Sequence, residues 1–395
     1  MNPKLPIGVK TIIEKLESNG KKAHIVGGCV RDFLLSKTPF DYDITTNARP
    51  EEMKEIFSDF RTVETGIKHG TLTVISSGEP YEVTTWRIDG EYEDHRHPKS
   101  VSFTDSLFGD LARRDFTMNA ICYSERDGFI DMFSGIEDIK CRIIRAVGEP
   151  SKRFEEDALR ILRAVRFSAV LGFEIEEKTA KSAAEKSGLL AAVSPERIYA
   201  EFKKLIGGEY AYSVLENYPE IFSVFFLKKI NLPEKELFNR ASSEVRLISV
   251  FALSTENPTE AFLDFCERMR TDSKIKRLGQ AVLENLNLPL PNRNEILLLI
   301  SELSESAVRT LCEVRGLVGI SDTPKEKELD ELLSLGYPLS VSALKVDGED
   351  MKSLGFFGRE IGAALKRLLT LVLLDEVKNE RNALLTRAQE IKNGI

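Results

Sequence analysis

A chain of 395 residues with a net charge of −8 is too long for one compact core, and it excludes a protein that coats nucleic acid through bulk charge. A local basic stripe would still suffice for RNA. At 42% hydrophobic and 30% charged the composition is that of a globular protein; no apolar run approaches a membrane span, and MNPKLPIGVK lacks the apolar core of a signal peptide.

Apolar residues at helical spacing (Ile7, Val9, Ile12, Ile13, Leu16) predict a helix over 6–19, stopped by Gly20. The stretch from His24 to Asp43 then reads as strand, Gly-Gly turn, short helix and second strand. Gly27 and Gly28 let backbone N–H groups approach a phosphate closely, and Arg31 follows within a turn. Asp41 and Asp43, two apart on a strand, project from one face while Tyr42 turns towards the core. Paired acids with nothing basic between them suit a hard cation such as Mg²⁺, which takes one or two carboxylates plus substrate phosphates. Pro50 starts a short helix with acids in its first turn. Residues 70–77 and 81–88 alternate as strands, joined by a hairpin turn at Ser77-Gly78-Glu79-Pro80.

Residues 89–100, DGEYEDHRHPKS, read as a polar surface loop; His95 and His97 beside Asp94 have no third partner to complete a metal site. In 109–123, Asp110 precedes the pair Arg113-Arg114, and Asp115 leads into an apolar strand. Segments 129–135 and 142–148 read as strand, turn and strand. The five cysteines (Cys29, Cys122, Cys141, Cys266, Cys312) are scattered without a C-x-x-C, which predicts a reducing cytoplasm and thiols acting as small hydrophobes.

From Pro150 the periodicity is helical. One long helix is expected up to Gly172, with Phe154, Leu159, Leu162, Val165 and Val170 as its stripe, and another from Ser194-Pro195. The predicted class is α+β: a mixed α/β head with a small sheet, then an all-helical neck, body and tail. On the first long helix Asp157, Arg160, Arg163 and Arg166 fall at three-residue steps and drift round one face. A carboxylate only accepts hydrogen bonds and a guanidinium only donates them. Side by side, Asp157 and Arg160 would match the amine and ring-nitrogen acceptor of cytosine or adenine. They would oppose the carbonyl and ring N–H of uracil or guanine.

The motifs GGCVRD…DYD (27–43), RRDFTMNA (113–120), DMFSG (131–135), EDALRILRAVRF (156–167) and ERIYAE (196–201) occur in this order. On them the chain resembles the class II tRNA nucleotidyltransferases, the CCA-adding enzymes, within the polymerase-beta-like nucleotidyltransferase superfamily. ALKVDGEDM (343–351) and NERNALL (379–385) look like the tail of the bacterial, Bacillus-type members. The resemblance implies that Asp41 and Asp43 bind Mg²⁺ and act in catalysis, while Gly28, Arg31 and Arg114 hold the nucleotide triphosphate. Asp157 and Arg160 would read the base, Arg163 and Arg166 complete the nucleotide site, and Asp110 is the candidate third catalytic carboxylate. Ser134-Gly135 and Glu196-Arg197 would be hinge or support positions. The implied domains are a catalytic head (1–149), a base-recognising neck (150–208) and a body and tail that bind the tRNA acceptor arm (209–395).

The implied reaction is attack of the tRNA 3′-hydroxyl on the α-phosphate of CTP or ATP, with release of pyrophosphate, in the cytoplasm and without a membrane. Competing readings are an A-adding-only enzyme, a bacterial poly(A) polymerase and a catalytically inactive RNA-binding protein. A CC-only relative is expected to lack the 89–100 loop. None of the four histidines (His24, His69, His95, His97) is followed by Asp, so no fused HD phosphohydrolase activity is expected.

Overall fold

Periodic and alternating apolar residues build the first part of the chain. The protein is described by a computed structural model covering residues 3–90, 101–290 and 292–394; the predicted loop residues Asp94, His95 and His97 lie outside them. The chain divides between Ile230 and Asn231 into two compact units.

In the first unit α1 (Ile7–Ser18) buries Val9, Ile12, Ile13 and Leu16. Then come β1 (Ala23–Val26), α2 (Gly28–Leu34), β2 (Asp43–Thr46), α3 (Pro50–Ile56), β3 (Arg61–Val63), β4 (Thr71–Ser76) and β5 (Glu79–Thr85). The strands β6 (Arg87–Asp89) and β7 (Val101–Phe103) form a separate antiparallel pair. α4 (Leu107–Ala112), β8 (Ile121–Ser124), β9 (Gly128–Asp131), α5 (Gly135–Cys141) and β10 (Ile143–Ile144) complete the head. The hairpin between β4 and β5 is tighter than its sequence suggests. Ser77 and Gly78 both take positive φ, 52° and 86°, the two-residue turn that suits strand twist. Glu79 and Pro80 already pair in the ladder, with Ser76 and Ile75. Pro80 is tolerated because β2 pairs only from Glu82 onwards, so no ladder donor is missed on that side.

Seven strands form one mixed sheet in the order β3-β4-β5-β2-β1-β8-β9. All neighbours are antiparallel except β2 and β5. Antiparallel pairing of β1 with β2 sets Val26 opposite Asp43, and parallel pairing of β2 with β5 sets Asp43 beside Glu82. The end of β1, the start of β2 and one edge of β5 therefore share one rim of the sheet. Val26, Leu111, Ala120, Cys122 and Val147 form a buried core cluster.

The helix expected from Pro150 to Gly172 is two helices. α6 (Pro150–Glu156) stops at Asp157, whose backbone is extended (φ −137°, ψ 102°), and α7 (Leu159–Leu171) begins after it. The cause is local: the Asp157 carboxylate accepts from the Leu159 N–H at 3.1 Å, offering the backbone an alternative to the helical ladder. Asp157 thus stands at a break and is not on the same helix as Arg160. Leu159, Leu162 and Val165 are buried as expected, but Val170 is exposed, with Ala169 and Leu171 buried in the last turn. Gly172 closes α7 in the left-handed region at φ 68°. β11 (Glu174–Ile175) pairs with β10 in parallel, and α8 (Glu177–Glu185) and α9 (Pro195–Ile206) follow, with α7 packed against α9.

The second unit contains ten α-helices between Lys235 and Lys392 and no strand among its described residues. Among the described residues no helix is long and apolar enough to cross a membrane.

Candidate active site

β1 delivers the chain to Gly27, whose φ of 83° lies in the left-handed region. Glycine is required there by conformation, and a Cβ would also crowd Arg114 Nη1 at 3.1 Å. Asp43 is the first residue of β2, and Asp41 precedes the strand. Tyr42 between them is half-buried, its ring 6.0 Å from that of Phe33, and does not reach the deep core.

Eight of the ten expected residues line one cleft of about 430 Å³: Gly28, Arg31, Asp41, Asp43, Arg114, Asp157, Arg160 and Arg163. Arg113, Asp115, Asn119 and Phe167 join them. Solvent reaches one face of Asp43, yet the protein encloses the rest. Burial pushes its carboxyl up to about 6; the Arg114 guanidinium opposes this, and the Asp41 and Glu82 carboxylates add to it. Asp43 on β2, with Glu82 beside it on β5 and Asp41 just before the strand, is a concentration of negative charge that a cation would relieve. Among the described residues no three metal-ligating side chains are close enough to enclose one unaided. The carboxylates present would hold a divalent metal that keeps waters and borrows substrate phosphates.

Two expected residues do not line the cleft. Asp110 is fully buried, its carboxylate held by Arg113, Arg114 and Thr45. Arg166 lies over the Phe167 ring, 3.5 Å from its centroid, and donates to Glu201 at 2.8 Å.

The remaining arginines are joined by residues that sequence reasoning passed over. Arg31 donates to Asn119 at 2.9 Å, and Asn119 donates to Asp115 at 3.0 Å. Arg163 donates to the other Asp115 oxygen at 2.8 Å. Burial alone would push the Asp115 carboxyl up; Arg163, with Asn119 and Arg160, outweighs it and holds the group well below the usual carboxylate range. Asp115 therefore links α2 to α7. Its motif was visible, but nothing local revealed which arginine it would meet. Glu82 occupies an ordinary exposed position in an alternating strand, and only the β2–β5 pairing brings it to Asp43.

Asp157 accepts from Arg197 Nη2 at 3.3 Å as well as capping Leu159. Arg160 is 8% exposed and donates to Glu156 (2.9 Å) and to the carbonyls of Arg153 (3.1 Å) and Arg113 (2.7 Å). These bonds fix its guanidinium while leaving the Nε–H and one Nη2–H for another partner. Arg114 Nε is buried without a partner among the described residues. Cys29 and Cys122 are pushed up to about 12 by burial, so neither is a nucleophile near neutral pH.

The sheet, the glycine turn and the acidic strand define a nucleotidyltransferase head. The family model described as the Poly A polymerase head domain matches residues 23–145, and that described as the probable RNA and SrmB-binding site of polymerase A matches 172–218. The chain is 36% identical to a CCA-adding enzyme of Pediococcus pentosaceus over 97% of both chains. It is 47% identical to that of Geobacillus stearothermophilus over 57% of this chain and 55% of the other. The crystal structure of the Bacillus stearothermophilus CCA-adding enzyme in complex with CTP is similar across 99% of both chains, at a TM-score of 0.77 and 31% identity. The chain belongs to the CCA-adding enzyme family.

Proposed function

We propose that the protein adds C, C and A to the 3′ end of tRNA without a nucleic-acid template, using CTP and ATP and releasing pyrophosphate. The observation that carries this reading is the meeting of Asp41 and Asp43 with Asp157 and Arg160 in one cleft. A pair that handles phosphate chemistry thus faces a pair able to choose a base.

Asp41 and Asp43 would hold the divalent metal, Mg²⁺ in this proposal; a two-metal site there would supply activation of the attacking hydroxyl and neutralisation of the leaving oxygen. Glu82, beside Asp43, is better placed than buried Asp110 to be the third carboxylate at the reacting atoms. Arg31 and Arg114, above the Gly27-Gly28 turn, hold the triphosphate; the unpartnered Nε–H of Arg114 is a donor awaiting an acceptor. Asp157 and Arg160 read the amine and ring nitrogen of cytosine or adenine, and Arg163 orders the site through Asp115. Arg166 supports it through Glu201. Residues 1–149 act as the catalytic head, 150–208 as the neck, and 209–395 as the body and tail that grip the tRNA acceptor arm by shape and phosphate contacts. The enzyme works in the cytoplasm, where its unpaired thiols, buried except for that of Cys141, stay reduced.

Extension of a tRNA lacking its 3′ end, with CTP alone, ATP alone and both, tests the reading. Products three nucleotides longer only when both are supplied are expected. Long A-tails with ATP alone would make it a poly(A) polymerase, and a single A on tRNA already ending in CC, with no CTP use, an A-adding enzyme.

A further inference from the structure

Asp110 is completely buried, accepts three hydrogen bonds and is ion-paired to Arg114. Its Oδ1 takes Arg113 Nε at 3.0 Å and Nη2 at 2.8 Å. Its Oδ2 takes the Thr45 hydroxyl at 3.1 Å and lies 3.6 Å from Arg114 Nη2. The arginines are three and four residues further along the chain, just past the end of α4, and both meet the Asp110 carboxylate. Thr45 is two residues beyond Asp43 on β2 and shares its face. The neighbouring Leu111 belongs to the core cluster with Val26 and Cys122, which anchors α4 against the sheet. Arg113 is gripped at its other end too, since its carbonyl accepts from Arg160 Nη2 at 2.7 Å. One carboxylate therefore joins the acidic strand to both cleft arginines and, through Arg113, to Arg160.

We propose that Asp110 is a positioning residue, which holds Arg113 and Arg114 at a fixed separation from the Asp41–Asp43 pair so that a triphosphate spans both. With no surface open to solvent it cannot itself reach a reacting hydroxyl, which separates this role from that of a third catalytic carboxylate. The inference rests on the reading of Arg114 as a triphosphate ligand.

The test measures kcat and KM for CTP, ATP and tRNA, together with the affinity for inorganic tripolyphosphate, in the full chain and three variants. Asp110→Asn keeps the shape but loses the charge. It should raise the KM of CTP and ATP alike by about tenfold and weaken tripolyphosphate by the same factor, the weight of one charge-assisted hydrogen bond. The KM for tRNA should stay put and kcat should fall by less than KM rises. Thr45→Val, which leaves every charge in place and guards against misfolding of the first variant, should shift the same constants by about threefold. A collapse of kcat at unchanged KM in Asp110→Asn would overturn the inference, as would a lowered Tm with all constants unchanged in both variants. Arg114→Ala separates the two levels: if it binds tripolyphosphate as tightly as wild type, the reading of Arg114 fails; if it loses binding while the other two variants do not, only the role of Asp110 fails.

Discussion

Buried arginines occur in both units, and what their donors meet differs. In the second unit Arg315 is 1% exposed and gives Nη1 to the carbonyls of Leu286 and Leu288, each at 2.7 Å, Nη2 to Asp322 and Nε to Thr323. Arg246, also buried, reaches the carbonyls of Phe238 and Asn239. These arginines bond carbonyls in the last turn of one helix (Phe238, Asn239) and just past the end of another (Leu286, Leu288), chain that must be held in place. In the cleft of the first unit Arg114 keeps an unpartnered Nε, while Arg31, over the Phe167 face, gives Nε and Nη2 to Asp32 and Nη1 to Asn119. Guanidiniums saturated by protein acceptors staple a fold, whereas Arg114 retains a donor that the proposed triphosphate would take. Arg160, with three of its donors on protein and its remainder facing the cleft, does both.

The sharpest break in that contrast is expected at the acids the spare donors face. Asp43→Ala should cut nucleotide addition by at least about a thousandfold, since several kcal/mol of charge stabilisation are lost. A filter-binding assay should show tRNA affinity nearly unchanged; loss of binding would make the pair structural. Next, Arg114→Ala should raise the KM for CTP and ATP by roughly ten- to a hundredfold with only a modest fall in Tm, because Arg113 and Thr45 still hold the buried Asp110 carboxylate. Arg315→Met should do the reverse, with unchanged KM values but a fold weaker by roughly 2 kcal/mol or more in denaturant titration, because buried carbonyls lose their donors.

Asp157→Ala combines the two behaviours. Loss of the cap should cost about 1 kcal/mol, and incorporation assays should show UTP or GTP admitted; full selectivity in this variant would refute base reading by Asp157. The smallest effect concerns pH. Asp115 is depressed in the fold, so its stabilisation is complete above the ordinary carboxylate range and is lost as pH falls below it towards the folded value. Asp115→Asn should therefore flatten the acid limb of a Tm-against-pH curve, and an unchanged limb would mean that the link from α2 to α7 is not electrostatic.

Much of the site was legible because its signals are local. Gly27 must accept a positive φ, Asp41 and Asp43 stand two apart at the start of β2, and a double arginine after an acid is visible as text. The errors arose where a residue's partner lies far along the chain. Asp110 looked like a free carboxylate beside two arginines, and burial turned it inward. Val170 fitted the stripe of a helix whose last turn buries Ala169 and Leu171 instead. Asp157 looked like one step of a continuous helix, although its own side chain stops α6.

By itself the sequence determined the α+β class, the glycine turn, the acidic pair and the residues able to pair with a base edge. These follow from backbone sterics, strand and helix periods and side-chain hydrogen-bonding capacity, all of which act within a few residues. Only the tertiary structure decided that β5 lies parallel to β2 and brings Glu82 to Asp43, that Asp115 bridges Arg163 and Asn119, and that Asp110 faces Thr45 and not the cleft. Strand order and burial are chosen by which apolar faces pack together over the whole unit, and no spacing along the chain encodes that choice locally.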